Sequence, residues 1–141
     1  FDACRSAIAA SRINDRAVFT GYLEPPKVNS WLLAADVVVS PSAREGLPRA
    51  VIEANALGRP VVATAIAGSV DVITHGVNGY LVHPESLSGM DAFIGDLLDN
   101  PELADSMGTA GRHHVRRQFD ISANVDAIER LYRRILGWPS N

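Results

Sequence analysis

Cysteine is almost missing from this chain: Cys4 stands alone among 141 residues. No internal disulfide can form, and a lone thiol suits a reducing compartment, so the expected location is cytoplasmic. No apolar run reaches the length that a bilayer demands. The start shows no basic leader followed by an apolar stretch. Positive charge is not in excess either, since 13 Lys and Arg face 16 Asp and Glu for a net charge of −3. That balance gives no electrostatic case for nucleic acid as the main partner. The four histidines (His75, His83, His113, His114) lack metal-ligand spacing with any cysteine or acid pair, so no metal site is expected. Internal repeats and low-complexity tracts are absent. What is present is an ordinary globular composition, 47% hydrophobic and 21% charged. A chain of this length buries about two-thirds of its unfolded surface. It opens at Phe1 rather than Met, and residues 1–11 read as the tail of a helix. The expectation is therefore a fragment of a longer protein, with one domain over 1–136 and a trailing end at 137–141.

Short apolar runs alternate with helical stretches. Residues 36–40 (DVVVS) are β-branched and nearly continuous, which suits a strand covered on both faces. Residues 60–64 (PVVAT) repeat that pattern after Gly58, a good helix stop. Residues 17–20 (AVFT) and 79–82 (GYLV) are further strand candidates. Between them, 28–35, 48–57 and 69–74 suit helices, the second with Pro48 at its first position. After His83-Pro84 the strand signal ends, and 86–98, 101–119 and 122–136 read as three helices, with Asp120 or Ser122 capping the last. Alternation with short connections predicts an α/β fold with a parallel sheet and helices on both faces, ending in a helical segment. Ligands in such sheets bind beyond the carboxyl ends of the strands. That places residues 40–48, and Gly21-Tyr22 after the AVFT run, at the ligand edge.

The densest segment runs from Ser40 to Glu53 (SPSAREGLPRAVIE). A strand end, a glycine loop and a helix start make a common phosphate site, because the first N–H groups of a helix lack intrahelical partners and carry partial positive charge. Gly46 lets the backbone approach a ligand closely. Gly46 and Leu47 would offer N–H groups, whereas Pro48 has none and sets the helix direction. A plain tight turn uses the same glycine. Glu53 lies four residues after Arg49, so an exposed ion pair between them competes with a ligand role. Ser40 and Ser42 would cap the turn or meet a phosphate.

The ordered blocks VFTGY (18–22), ADVVVSPS (35–42), EGLPRAVIEANALGRPVVAT (45–64) and HGVNGYLV (75–82) resemble the retaining nucleotide-sugar glycosyltransferases of the two-domain GT-B fold. The resemblance runs from about Arg16 to Leu136. It implies a Rossmann-like donor-binding domain, the C-terminal half of that fold. Glu45 and Glu53 match the two acids of the family's E-x7-E motif. The first would face the donor sugar as the catalytic carboxylate. The second would accept the ribose hydroxyls, whose spacing suits two carboxylate oxygens. Ser42, Gly46, Leu47 and Pro48 would hold sugar and diphosphate, and Gly21 and Tyr22 the nucleobase. The implied reaction needs no metal, and no Asp-x-Asp element is present. The partners would be a nucleotide sugar and a separate N-terminal acceptor domain. Residues 67–71 (AGSVD) depart from the family's Gly-Gly, proline and glutamate pattern, which weakens the case for ligand contact there. Two other readings stay open at this point: a nucleotide-sugar epimerase of similar fold, and a non-catalytic binding or scaffolding domain. The basic run Arg112, His113, His114, Arg116, Arg117, with Arg130, Arg133 and Arg134, reads as a solvated face or as peripheral contact with anionic lipid.

Overall fold

The computed structural model describes residues 2–11 and 13–138. Of the expected tail, 139–141 lie outside the described residues. Three strands form a parallel sheet: β1 (Val38–Ser40), β2 (Val61–Thr64) and β3 (Tyr80–Val82), in that spatial order. The register sets Val38 beside Val61 and Val62 beside Tyr80. Helix α1 (Asp2–Ala9) and α2 (Pro25–Ala34) precede β1, α3 (Arg49–Ala56) joins β1 to β2, and α4 (Ala67–Val72) joins β2 to β3. Helices α5 (Met90–Asp99), α6 (Pro101–Gln118) and α7 (Ile121–Leu136) follow.

Strand alternation divides the core in two. Val61 and Ala63 point to one face, where they meet Val51 and Ala54 of α3, Val72 of α4 and Val115 of α6. Val62 and Val82 point to the other, against Met90 and Leu97 of α5 and Met107 of α6. All four residues of β2 are buried, as expected of a central parallel strand. The expectation of helices on both faces holds. Long helix α6 serves both clusters and crosses α3 closely. A Cβ on Gly111 would stand 1.8 Å from Asn55 Oδ1, and one on Gly108 would stand 2.0 Å from the Gly58 carbonyl oxygen. Small residues there let two helix backbones approach.

Some expectations need correction. Residues 17–20 are not a strand. Ala17 is extended, but the run has no partner in the sheet and Val18 is 72% exposed. Extended backbone becomes a strand only when a neighbour takes its hydrogen bonds. Pro48 is the N-cap of α3 rather than its first residue, with ψ at 96°. Helix α2 starts at Pro25, three residues before the apolar periodicity, because two prolines suit a first turn whose N–H groups have no partner. Helix α4 covers 67–72 rather than 69–74. Helix α5 starts at Met90, not at residue 86, since Gly89 at φ +87° cannot sit inside a right-handed helix. The stop at Gly58 is as expected, with φ +73°. Asp120 caps α7, accepting the Ala123 N–H at 3.0 Å.

At the entry to β3, Tyr80 stacks on Phe93 at 4.2 Å between centroids, and its hydroxyl donates to Asp96 Oδ2 at 2.9 Å. Burial, and then the hydrogen bond and charge of Asp96, raise the Tyr80 phenol above its ordinary range.

Candidate functional site

The carboxyl ends of the three strands, Ser40, Thr64 and Val82, define one edge of the sheet. The β1–α3 loop, residues 41–48, rises from that edge and carries Ser42, Glu45, Gly46, Leu47 and Pro48. Two devices hold it. The buried Thr64 hydroxyl, at the end of β2, donates to the Ser42 carbonyl. The start of α4 supports the other side: a Cβ on Gly68 would stand 2.0 Å from the Gly46 carbonyl oxygen and 2.8 Å from Pro48 Cδ. Only glycine leaves room for that contact.

This packing orients the loop. The Gly46 carbonyl faces Gly68. Because the peptide is planar and trans, the Leu47 N–H points the opposite way, off α4. Among the described residues, no backbone hydrogen bond takes the N–H of Gly46 or Leu47. Helix α3 begins its ladder with Val51 and Ile52 donating to the Pro48 carbonyl. Two exposed residues with unused N–H groups therefore adjoin the positive end of α3, which is what an anion site needs.

Glu45 and Gly46 are exposed, and Pro48 is buried against α4. Glu53 is turned toward Arg49, whose Nη2 stands 3.2 Å from Oε1, with the two side chains 84% and 36% exposed. The competing ion-pair expectation for Glu53 is thus present. So exposed a pair is worth only a few tenths of a kcal/mol, about what an i,i+4 pair contributes. It would yield easily to a ligand. Gly21 takes a left-handed conformation at φ +64°, and Tyr22 is 85% exposed. No hydrogen bond or ring contact among the described residues ties Tyr22 to the 42–53 segment. The structure thus unites Ser42, Gly46, Leu47 and Pro48 in one supported loop, and leaves Gly21 and Tyr22 unconnected to it. Among the described residues no group of three or more His, Cys, Asp or Glu side chains is placed to hold a metal ion.

Sequence reasoning missed Gly68 and Thr64 as supports. Gly68 was visible in the AGSVD segment, but its value lies in a contact with residue 46 that spacing does not show.

The family model for glycosyl transferases group 1 matches residues 2–114. The chain belongs to that family. This group 1 domain is 30% identical to the alpha-D-kanosaminyltransferase of Streptomyces kanamyceticus, over 91% of its own length and 33% of the relative's. It overlays the solved C-terminal domain of a glycosyl transferase group 1 family protein from Francisella tularensis, with TM-score 0.76 and 25% identity over 85% of this chain and 62% of that one. It also overlays a TarM variant from S. aureus solved with fondaparinux, alpha-GlcNAc-glycerol and UDP, with TM-score 0.83 and 29% identity over 93% of this chain and 26% of that one. The group 1 chain spans about a third of the length of the first curated relatives it matches. Its fold is that of the C-terminal domain of a GT-B glycosyltransferase.

Proposed function

We propose that this domain binds the nucleoside diphosphate sugar of a retaining hexosyltransferase and presents its anomeric carbon to an acceptor hydroxyl held by an N-terminal domain. The bond from that carbon to the diphosphate breaks, a bond to the acceptor oxygen forms with the configuration kept, and the hydroxyl proton leaves with the diphosphate. The observation that carries the reading is the Gly68-backed loop, which leaves the Gly46 and Leu47 N–H groups unused beside the positive end of α3. Charge grows on the departing diphosphate as the bond breaks. Fixed N–H donors stabilise it without reorganising, and this is the work a divalent cation does elsewhere. The reaction in this reading needs no metal. Glu45 orients the sugar through its hydroxyls, Ser42 and Pro48 shape the same loop, and Glu53 exchanges Arg49 for the ribose hydroxyls. Gly21 and Tyr22 take the base. The UDP in the TarM structure of the same fold supports a nucleotide as ligand.

A cytoplasmic location, with peripheral contact to anionic lipid through the basic residues of α6 and α7, belongs to the same reading. It rests on the lone Cys4 and on the basic run. In the protein carrying its acceptor domain, Glu45→Ala should lower turnover by roughly two orders of magnitude, the scale of a misoriented reactant. Turnover near that of the unchanged enzyme would remove Glu45 from the site.

A further inference from the structure

The donor reading gives Glu53 to the ribose and leaves its partner Arg49 without a role. Arg49 is the first residue of α3. A cation is badly placed there, because the first turn of a helix already carries partial positive charge. Helix α3 has no acidic residue in its first turn to offset it. The one ion pair of Arg49 among the described residues runs to Glu53, with Nη2 and Oε1 3.2 Å apart. The Arg49 side chain stays 84% exposed, and arginine ahead of glutamate at this spacing is the less favourable order on a helix. Neither the helix nor the pair accounts for a guanidinium at this position.

The placement suits an anionic ligand. In a helix every Cα–Cβ bond tilts toward the N-terminus, so Arg49 leans toward the end of α3 that the Gly46-Leu47 loop adjoins. Leu47 is two residues away, so the two Cα atoms are at most about 7 Å apart. Glu53 lies on the same face one turn further in, about 6 Å along the axis. From the loop inward the order is unused N–H groups, guanidinium, carboxylate. A nucleoside diphosphate carries its groups in the matching order, anionic phosphates and then the ribose diol. A guanidinium meets phosphate through two parallel N–H donors, a stronger bond than so exposed a carboxylate pair provides.

We propose that Arg49 is a donor-binding residue that turns from Glu53 to the diphosphate when the ribose takes the carboxylate. The proposal rests on the donor reading and supplies the second half of the Glu53 exchange. As the sugar bond breaks, the same guanidinium meets the charge growing on the diphosphate. The 141-residue chain is titrated with UDP and followed by amide NMR, alongside Arg49→Ala, Arg49→Lys, Glu53→Ala and the double variant Arg49→Ala with Glu53→Ala. Arg49→Ala should weaken UDP binding about tenfold, and Arg49→Lys should recover part of the loss by keeping the charge. The same loss should appear in the Glu53→Ala background, because the contact is with phosphate and does not run through Glu53. The thermal midpoint of the free chain should not fall in Arg49→Ala, which separates a lost ligand contact from a lost fold. Saturable UDP binding that Arg49→Ala leaves unchanged or tightens would overturn the proposal and leave the donor reading standing. A loss that vanishes in the Glu53→Ala background would overturn it too, since Arg49 would then act only by holding Glu53. No saturable UDP shift in the unchanged chain would overturn both.

Discussion

Gly68 is the residue on which the donor loop turns. A methyl group at that position meets the Gly46 carbonyl at 2.0 Å, too close to be absorbed without moving backbone. Gly68→Ala should therefore cost about 1–3 kcal/mol by overpacking and displace the loop from α4. Thermal unfolding together with amide shifts at Gly46 and Leu47 measures both; an unchanged midpoint with unchanged shifts would contradict the packing. Glu45 and Glu53 were legible in the sequence because their spacing is local and belongs to a recognisable motif. The support beneath them was not. Thr64 lies 22 residues from Ser42, and Gly68 is also 22 residues from Gly46. Contacts at such separations follow from how strands and helices come together, not from periodicity. The AGSVD segment departs from the family pattern at Ala67, Val70 and Asp71, yet its Gly68 makes the contact.

At the scale of elements, short apolar runs were enough to find β1, β2 and β3, although only β2 is buried along its whole length and the expected cover on both faces of β1 leaves Val39 41% exposed. The same rule failed for 17–20, where composition suits a strand but no neighbouring strand accepts the hydrogen bonds. Boundaries shifted where one residue controlled the backbone, as Pro25 does for α2 and Gly89 for α5. The tie between β3 and α5 has a pH signature. Tyr80 in the folded chain holds its proton more tightly than in the unfolded chain, whose phenol titrates near 10.0. Its contribution is complete below that value and is lost as pH rises through the higher folded value. Unfolding free energy should therefore fall with pH in that alkaline window. Tyr80→Phe should remove this component of the slope and cost about 1 kcal/mol at neutral pH for the lost hydrogen bond. Denaturant unfolding at neutral and alkaline pH tests it, and identical slopes in both proteins would contradict it.

For the whole molecule, two features stand out. The core is closed by α3, α4, α5 and α6 around a three-stranded sheet, while α7 contributes no buried residue. Its apolar residues Ile121, Val125, Ile128, Tyr132 and Ile135 are all more than half exposed. The chain also spans about a third of its curated relatives' length. The architecture nonetheless brings loop, helix start and glycine support together at the carboxyl edge, drawn from four successive elements. The most direct test of that edge is an amide NMR titration of the 141-residue chain with UDP, alongside Glu53→Ala and Gly68→Ala. The expected result is saturable shifts clustered at Ser42–Glu53, weakened by Glu53→Ala and lost from the loop in a folded Gly68→Ala. No saturable shift at millimolar UDP, or shifts that both variants leave unchanged, would contradict the account.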